Sequence, residues 1–431
     1  MQEIRFDQSY TRDNARTYIK LPFDMPDGIE RIELEYEYPR FVEEILPEGR
    51  HLREVNIIDL GVYDQKGCLY GWSGSQRRSI FITNTAASPG YKHGNLVRGK
   101  WAVALGLYRI EGTVRVTVLL RLYPKERKMY RGDLHIHTVN SDGSYTTAFV
   151  LQSCEKAGLD FIALTDHNNM KQNSEIGNPE HLTVIPGVEY TNYAGHANFF
   201  FTDPAARFND DFLSNSFKEM AAVFRRAKEA GAFISLNHPF SLCPWEFGYD
   251  NFPFDLIEVW NGPMSADNMQ AVACWHQFLC QGKKLAAVAG SDMHRYELGR
   301  TFGSPCTFVY ADGGSVTDIL NAVSRGRSGM AYTPDGPFVD ISIGGFALGD
   351  TVPFRPGLEG QVVLLGAKTG DILKLINCKG LAETYTAPFD GVYRHSFSVK
   401  DLSFYRLEVY RKLLDQMVLS ALSNPVYIQG I

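Results

Sequence analysis

Nitrogen and oxygen ligands recur along the middle of this chain in short motifs, most of them ending an apolar run. The first is Asp133-Leu134-His135-Ile136-His137-Thr138, with Ser141-Asp142-Gly143 just behind it. Leu164-Thr165-Asp166-His167-Asn168, Pro186-Gly187-Val188-Glu189, His196-Ala197-Asn198, Asn237-His238-Pro239 and Gly290-Ser291-Asp292-Met293-His294 follow in order. Imidazoles and carboxylates displayed together are the donors of a hydrolytic site with several metal ions. His135 and His137 are two apart. On a strand, residues i and i+2 point to one face, so both rings can reach one ion. A single HxH is weak evidence, and His196 alone reads as a hydrogen-bonded core histidine. The ordered set is far more specific, because six of the eleven histidines fall inside it. Mixed His and carboxylate donors suit Zn, Mn or Fe alike.

Such ligands need rigid elements to hold them. From Asp133 onward, short apolar strands alternate with helical segments. A helix from about Thr146 to Ala157 stops at Gly158 and precedes the buried strand Asp160–Thr165. Phe217, Met220, Ala221, Phe224 and Ala227 fall at helical spacing before the strand Ala232–Asn237. Strand Leu256–Trp260 leads to a helix carrying Met269, Val272, Trp275 and Leu279, then to strand Leu285–Ala289. Ser315 can cap a further helix with Ile319, Leu320 and Val323. Repeated βα alternation argues for parallel strands in a barrel or a doubly wound sheet, both of which display active groups at strand ends.

Residues 1–128 read differently. Ile32-Glu33-Leu34-Glu35-Tyr36-Glu37-Tyr38 alternates apolar and polar, as does Val114–Tyr123, and the spacing suggests a β-sandwich. After about residue 335 helical alternation ceases, and Phe338–Ile343, Val362–Leu365 and Phe404–Arg411 read as strands of a further small β domain. The expected division is 1–128, 129–335 and 336–431.

Composition narrows the function. With 431 residues, the chain is long enough for two or three domains. A net charge of -6 gives no electrostatic case for a stable nucleic-acid partner. No stretch reaches the ~18–20 apolar residues of a membrane span. The N-terminal Met1–Asp7 lacks the apolar core of a signal peptide, and seven scattered cysteines without a CxxC pair read as reduced thiols. A cytoplasmic location is expected.

The ordered HxH, SDG, TDH, GxE, HAN, NHP and SDxH motifs resemble the PHP superfamily, named for polymerase and histidinol phosphatase domains, over residues 130–335. The flanks, with Pro89-Gly90-Tyr91 and Gly99–Gly106, more loosely resemble the branch that includes carbaryl-hydrolase-like metallohydrolases. The resemblance implies a distorted (β/α)7 barrel flanked by N- and C-terminal β domains, with two to three divalent ions. It implies that His135, His137 and Asp292 hold the first ion. Glu189 would bridge to a second, completed by His196 and His238. Asp142, His167 and His294 would hold a third. Some relatives have His in place of Asp142, so this site departs most from the family. Asp133 and Asp166 read as partners that orient ligating histidines.

Two ions sharing Glu189 would hold a hydroxide between them, poised to attack phosphorus or a carbonyl carbon. Asp292 or His294 could move the proton. Arg295 and Arg300 after the last motif, and Lys171 after the TDH, could clamp phosphate oxygens. Trp260, Asn261 and Phe240 stand at strand ends where they could line a pocket, although Trp260 could equally be core. The expected activity is hydrolysis of a small phosphate mono- or diester. A carbamate, ester or amide hydrolase, and a binding protein with a degenerate barrel, are the alternatives. Oligomeric state and the task of the β flanks stay open.

Overall fold

The computed structural model describes every residue except 48, 178, 180, 203–207, 209–211, 298 and 431. The chain forms two compact units, Met1–Glu126 and Arg127–Ile431. The first contains two four-stranded antiparallel sheets. In Ile29–Glu37 the alternation works as expected: Ile32, Leu34 and Tyr36 are buried while Glu35 and Glu37 are exposed. Their apolar faces meet Ile58, Leu60, Val103 and Leu105 of the other sheet in one core. Each fully buried Leu, Ile or Val contributes about 1.5–3 kcal/mol.

The second unit is mixed α/β and rich in sheet. Its first strand, β1 (Lys128–Ile136), is followed by α1 (Thr147–Lys156), β2 (Phe161–Leu164) and β3 (Thr183–Asn192). Next come β4 (Gly195–Phe200), α2 (Phe217–Glu229), β5 (Phe233–Asn237) and β6 (Leu256–Asn261). They lead to α3 (Ala266–Cys280) and β7 (Ala286–Gly290). β1 to β7 pair in chain order. β1–β2, β2–β3, β5–β6 and β6–β7 are parallel, whereas β3–β4 and β4–β5 are antiparallel. Beyond β7 the chain returns to β1: Asp292 N donates to His135 O at 2.9 Å and His137 N to Met293 O at 3.0 Å. The two ends of the series therefore meet at the ligand motifs.

Helix content is lower than regular βα alternation leads one to expect. Among the described residues, three of the six connections between β1 and β7 carry an α-helix. The β3–β4 connection is a hairpin turned by Tyr193 and Ala194, which forces an antiparallel pair. Where helices form, local side chains cap them. Thr146, Ser216 and Ser265 accept hydrogen bonds from Phe149, Glu219 and Asn268 backbone N–H groups. Gly158 and Gly231, just beyond α1 and α2, adopt φ of 74° and 81°.

The continuous apolar runs are strands covered on both faces. In β2, Phe161 and Ala163 join a core with Leu320 and Val323, while Ile162 and Leu164 join another with Val150 and Cys154 of α1. Leu320 and Val323 belong to α4 (Val316–Ser324), capped by Ser315 and placed between β8 (Cys306–Ala311) and β9 (Ser328–Ala331). β8 pairs with β1, and β9 pairs with Gln416–Ser423, so strands after residue 335 continue the same sheet. Among the described residues, no helix is long and apolar enough to cross a membrane.

Candidate metal centre

The ends of these strands deliver the ligand motifs to one place. His135 and His137 lie at the end of β1, Glu189 on β3 and His196 on β4. His238 immediately follows β5, and Asp292 and His294 follow β7. Asn168, His238 and Asp292 have φ of 49°, 25° and 51°. Non-glycine residues pay strain in this left-handed region, and such strain collects at functional sites.

Glu189 is the hub. Its Oε1 lies 3.3 Å from His135 Nε2, His196 Nδ1 and His238 Nε2. Its Oε2 lies 2.9 Å from His167 Nδ1 and 3.5 Å from His137 Nε2. Asp292 Oδ1 stands 3.1 Å from His137 Nε2 and 3.4 Å from His135 Nε2. Nearer solvent, Asp142 Oδ1 is 3.1 Å from His294 Nε2, 3.5 Å from His167 Nε2 and 4.0 Å from His137 Nδ1. All nine residues singled out as metal ligands therefore come together.

The donors fit divalent ions. Three sets fall within mutual ligating reach around His135, His137 and Glu189, around Glu189, His196 and His238, and around His137, Asp142, His167 and His294. His137 thus faces two of the expected sites. A further set joins His135, His238 and Glu258. His137 Nδ1, Glu189 Oε2 and His196 Nδ1 are buried without a hydrogen bond, despite the neighbours just named. Orphaned buried lone pairs are costly, and a cation held between them would satisfy them.

Burial alone would raise the Glu189 and Asp292 carboxyls, but the surrounding imidazoles, His135 foremost, hold both well below the usual carboxylate range. Burial alone would likewise lower His135, and Glu189, Glu258 and Asp292 carry it well above the ordinary imidazole value. His137 is lowered, chiefly by burial. Negative charge thus concentrates on the ligand oxygens.

Second partners aim the rings. His167 Nδ1 meets Thr191 Oγ1 at 2.6 Å, His238 Nδ1 meets Ser241 Oγ at 2.9 Å and His294 Nδ1 meets Asp292 O at 3.0 Å. His135 Nδ1 meets Glu258 Oε1 at 3.0 Å. Asp133 and Asp166, expected in that role, bond the chain beside the candidate ligands rather than a ring. Asp133 accepts backbone N–H bonds from His135, Ser291 and Gly303, and burial pushes its carboxyl up to about 6. Asp166 accepts from Thr138 N, Thr138 Oγ1 and Ser141 Oγ. Sequence reasoning missed Glu258, Thr191 and Ser241. Only Glu258 left a signal, as a lone carboxylate within the apolar run Leu256–Trp260.

A cavity of about 220 Å³ opens beside His238, lined by Phe240, Ser241, Asn261, Asp267 and Arg300 among others. Trp260 is core, fully buried. Arg300 donates from Nη1 to Ser291 O at 2.6 Å and to Asp292 O at 2.7 Å. Arg295 instead pairs with Glu297 at 2.6 Å, and Lys171 is an exposed residue opening a short 3-10 turn. Neither lines this cavity.

No family model matches the chain. No curated protein matches it either. Among solved structures it is similar to a two-domain protein from Bacteroides vulgatus containing a predicted PHP-like metal-dependent phosphoesterase. That match has 19% identity and a TM-score of 0.42, and covers 69% of this chain and 95% of the other. A candidate metal-dependent phosphoesterase from Bifidobacterium adolescentis matches at 17% identity and a TM-score of 0.30, covering 44% of this chain and 95% of its own. An amidohydrolase from Chromobacterium violaceum matches at 19% identity and a TM-score of 0.29, covering 39% and 89%. Likenesses this distant assign nothing.

Proposed function

We propose that this chain is a metal-dependent hydrolase of the PHP superfamily, with β1–β7 as its distorted barrel, acting on a small phosphate mono- or diester. The observation that carries this is the convergence of six His and two Asp side chains around Glu189, with three buried N and O atoms in their midst that lack a hydrogen bond. In this proposal His135, His137, Glu189 and Asp292 hold one ion and Glu189, His196 and His238 a second. Asp142, His167 and His294 hold a third. Bound divalent ions supply an activated water near neutral pH and a Lewis acid for the substrate oxygen.

The chain's own residues do the rest. Glu189, at 1% exposure, is sealed from solvent and serves as a fixed anchor. Asp292 and His294, with side chains 20% and 29% exposed, stand at the mouth and are the groups placed to pass a proton to solvent. Arg300 sets a positive charge beside Asp292 at the cavity wall, where a phosphoryl oxygen can be met. That cation favours a phosphoester over the carbamates, esters and amides that the looser likeness of the flanks brings to mind.

The test loads the chelated protein with Mn or Zn and offers aryl phosphate mono- and diesters beside an aryl carbamate and an aryl ester. Chelator-sensitive cleavage of phosphates is expected. Cleavage of only the carbamate or ester would transfer the site to that chemistry. A protein that takes up no metal and cleaves none of them would overturn the hydrolase assignment.

A further inference from the structure

We infer that Glu258 is a positioning residue of the centre, fixing the ring of one ligand and the backbone of another. This rests on the metal-centre reading above. Glu258 is 2% exposed, in the middle of β6, where Leu256, Ile257, Val259 and Trp260 are all buried apolar residues. Among the described residues, no Lys or Arg lies within ion-pair distance of it; its ion-pair partner is His135. Burying a carboxylate costs roughly several kcal/mol, so its hydrogen bonds must hold it in place.

Those bonds come from three segments. Oε1 meets His135 Nδ1 at 3.0 Å, while Oε2 accepts from the His238 backbone N at 3.2 Å and from Asn261 Nδ2 at 3.1 Å. Oε2 is met by two N–H donors, and Oε1 is an acceptor for the third. Nδ1 is thus the ring atom turned to Glu258, which leaves Nε2 facing Glu189 and Asp292, where an ion would be met. A carboxylate behind a ligating imidazole also makes the ring a better donor. The bond to His238 N pins a residue whose φ is 25°, at the turn that swings its ring to Glu189. Asn261, the third donor, lines the cavity beside His238. One side chain thus ties two metal ligands to the cavity wall. The chain leaves room for this: a Cβ on Gly290 would stand 2.8 Å from Glu258 Oε1 and 2.4 Å from His135 Cβ.

Glu258→Gln tests the assignment, because an amide offers one acceptor oxygen where three donors converge. Two quantities are read on wild type and variant: zinc affinity, by competition with a chromophoric chelator, and the proton shift of His135 Nδ1–H, from histidine-labelled, zinc-loaded protein. Wild type is expected to bind zinc and to show that proton far downfield, as donated to a carboxylate. The variant should lose about 10–100-fold in affinity and lose the downfield shift. Unchanged affinity and shift would overturn the proposal. So would a loss of affinity with the shift intact, which would make Glu258 a ligand itself or a packing residue. Should the wild type take up no zinc, the metal-centre reading fails first and this proposal with it. If Glu258→Gln does not fold, Glu258→Asp keeps the charge, shortens the reach by one methylene, and is judged by the same two readouts.

Discussion

The two units put their charges in opposite places. In Met1–Glu126 the interior is built of residues such as Leu34, Ile58, Leu60, Val103, Leu105 and Leu120, all fully buried. Most of its ion pairs, such as Arg5–Asp7 and Arg53–Glu111, lie at the surface, where each is worth about 0–1 kcal/mol. In Arg127–Ile431, Asp133, His135, His137, Asp166, Glu189 and Glu258 are all at 2% exposure or less. An apolar core would stabilise that space better, since buried ionisable groups rarely return their desolvation cost. The contrast teaches that the first unit's interior is selected for packing, whereas the second unit's strand ends are arranged for a ligand the chain itself does not provide.

The largest expected effect tests this contrast directly. Glu189→Ala removes the hub that touches five imidazoles. Turnover should fall by about 10²–10³-fold or more, and metal content by plasma mass spectrometry should fall with it. Leu105→Ala in the first unit should do the reverse. It should lower stability in urea by about 2–5 kcal/mol, with metal content per folded molecule unchanged. Loss of metal in the Leu105 variant, or full metal content in the Glu189 variant, would break the comparison.

Most of the residues gathered around Glu189 were legible because each is announced locally. A strand's period of two shows His135 and His137 on one face, and an apolar run that stops at a polar residue marks a strand end. Thr146, Ser216, Ser265 and Ser315 are legible for the same reason, since a cap acts within three residues. What could not be read depends on contacts between distant segments. Glu258 meets His135 across 123 positions, and nothing near either residue announces the other. Three segments after residue 335 read as strands, but pairing partners such as β9 with Gln416–Ser423 are set by tertiary packing. The hairpin between β3 and β4 breaks the βα rhythm through a short turn, whereas the apolar runs on either side look like any buried strand.

A smaller effect compares two glycines. A Cβ on Gly290 would meet His135 Cβ at 2.4 Å and His135 N at 3.0 Å, and in the first unit a Cβ on Gly61 would meet Trp72 Cε3 at 2.4 Å. Each Ala substitution should cost about 1–3 kcal/mol by overpacking. Only Gly290→Ala should also slow turnover, by about 10²-fold, because it shifts a ligand. Equal turnover in the two variants, measured at saturating metal, would show that His135 tolerates displacement and that the site is looser than its distances suggest.

The smallest effects separate two arginines five residues apart. Arg300 has a side chain 24% exposed, and its Nη1 is held by the carbonyls of Ser291 and Asp292. Arg300→Ala removes charge from the cavity wall and two bonds from the Asp292 turn, so kcat/KM on a phosphoester should fall by about 1.5–3 kcal/mol, roughly ten- to a hundredfold. Arg295 is 67% exposed and turned toward Glu297, itself 47% exposed. An exposed pair of this kind contributes about 0–1 kcal/mol, so Arg295→Ala should leave kcat/KM within a few-fold of the parent. Both arginines follow the same motif and differ only in which way the chain turns them. A large loss at Arg295 with little at Arg300 would therefore mean that substrate approaches from the solvent side of that loop, and that the cavity beside His238 is not where the phosphate sits.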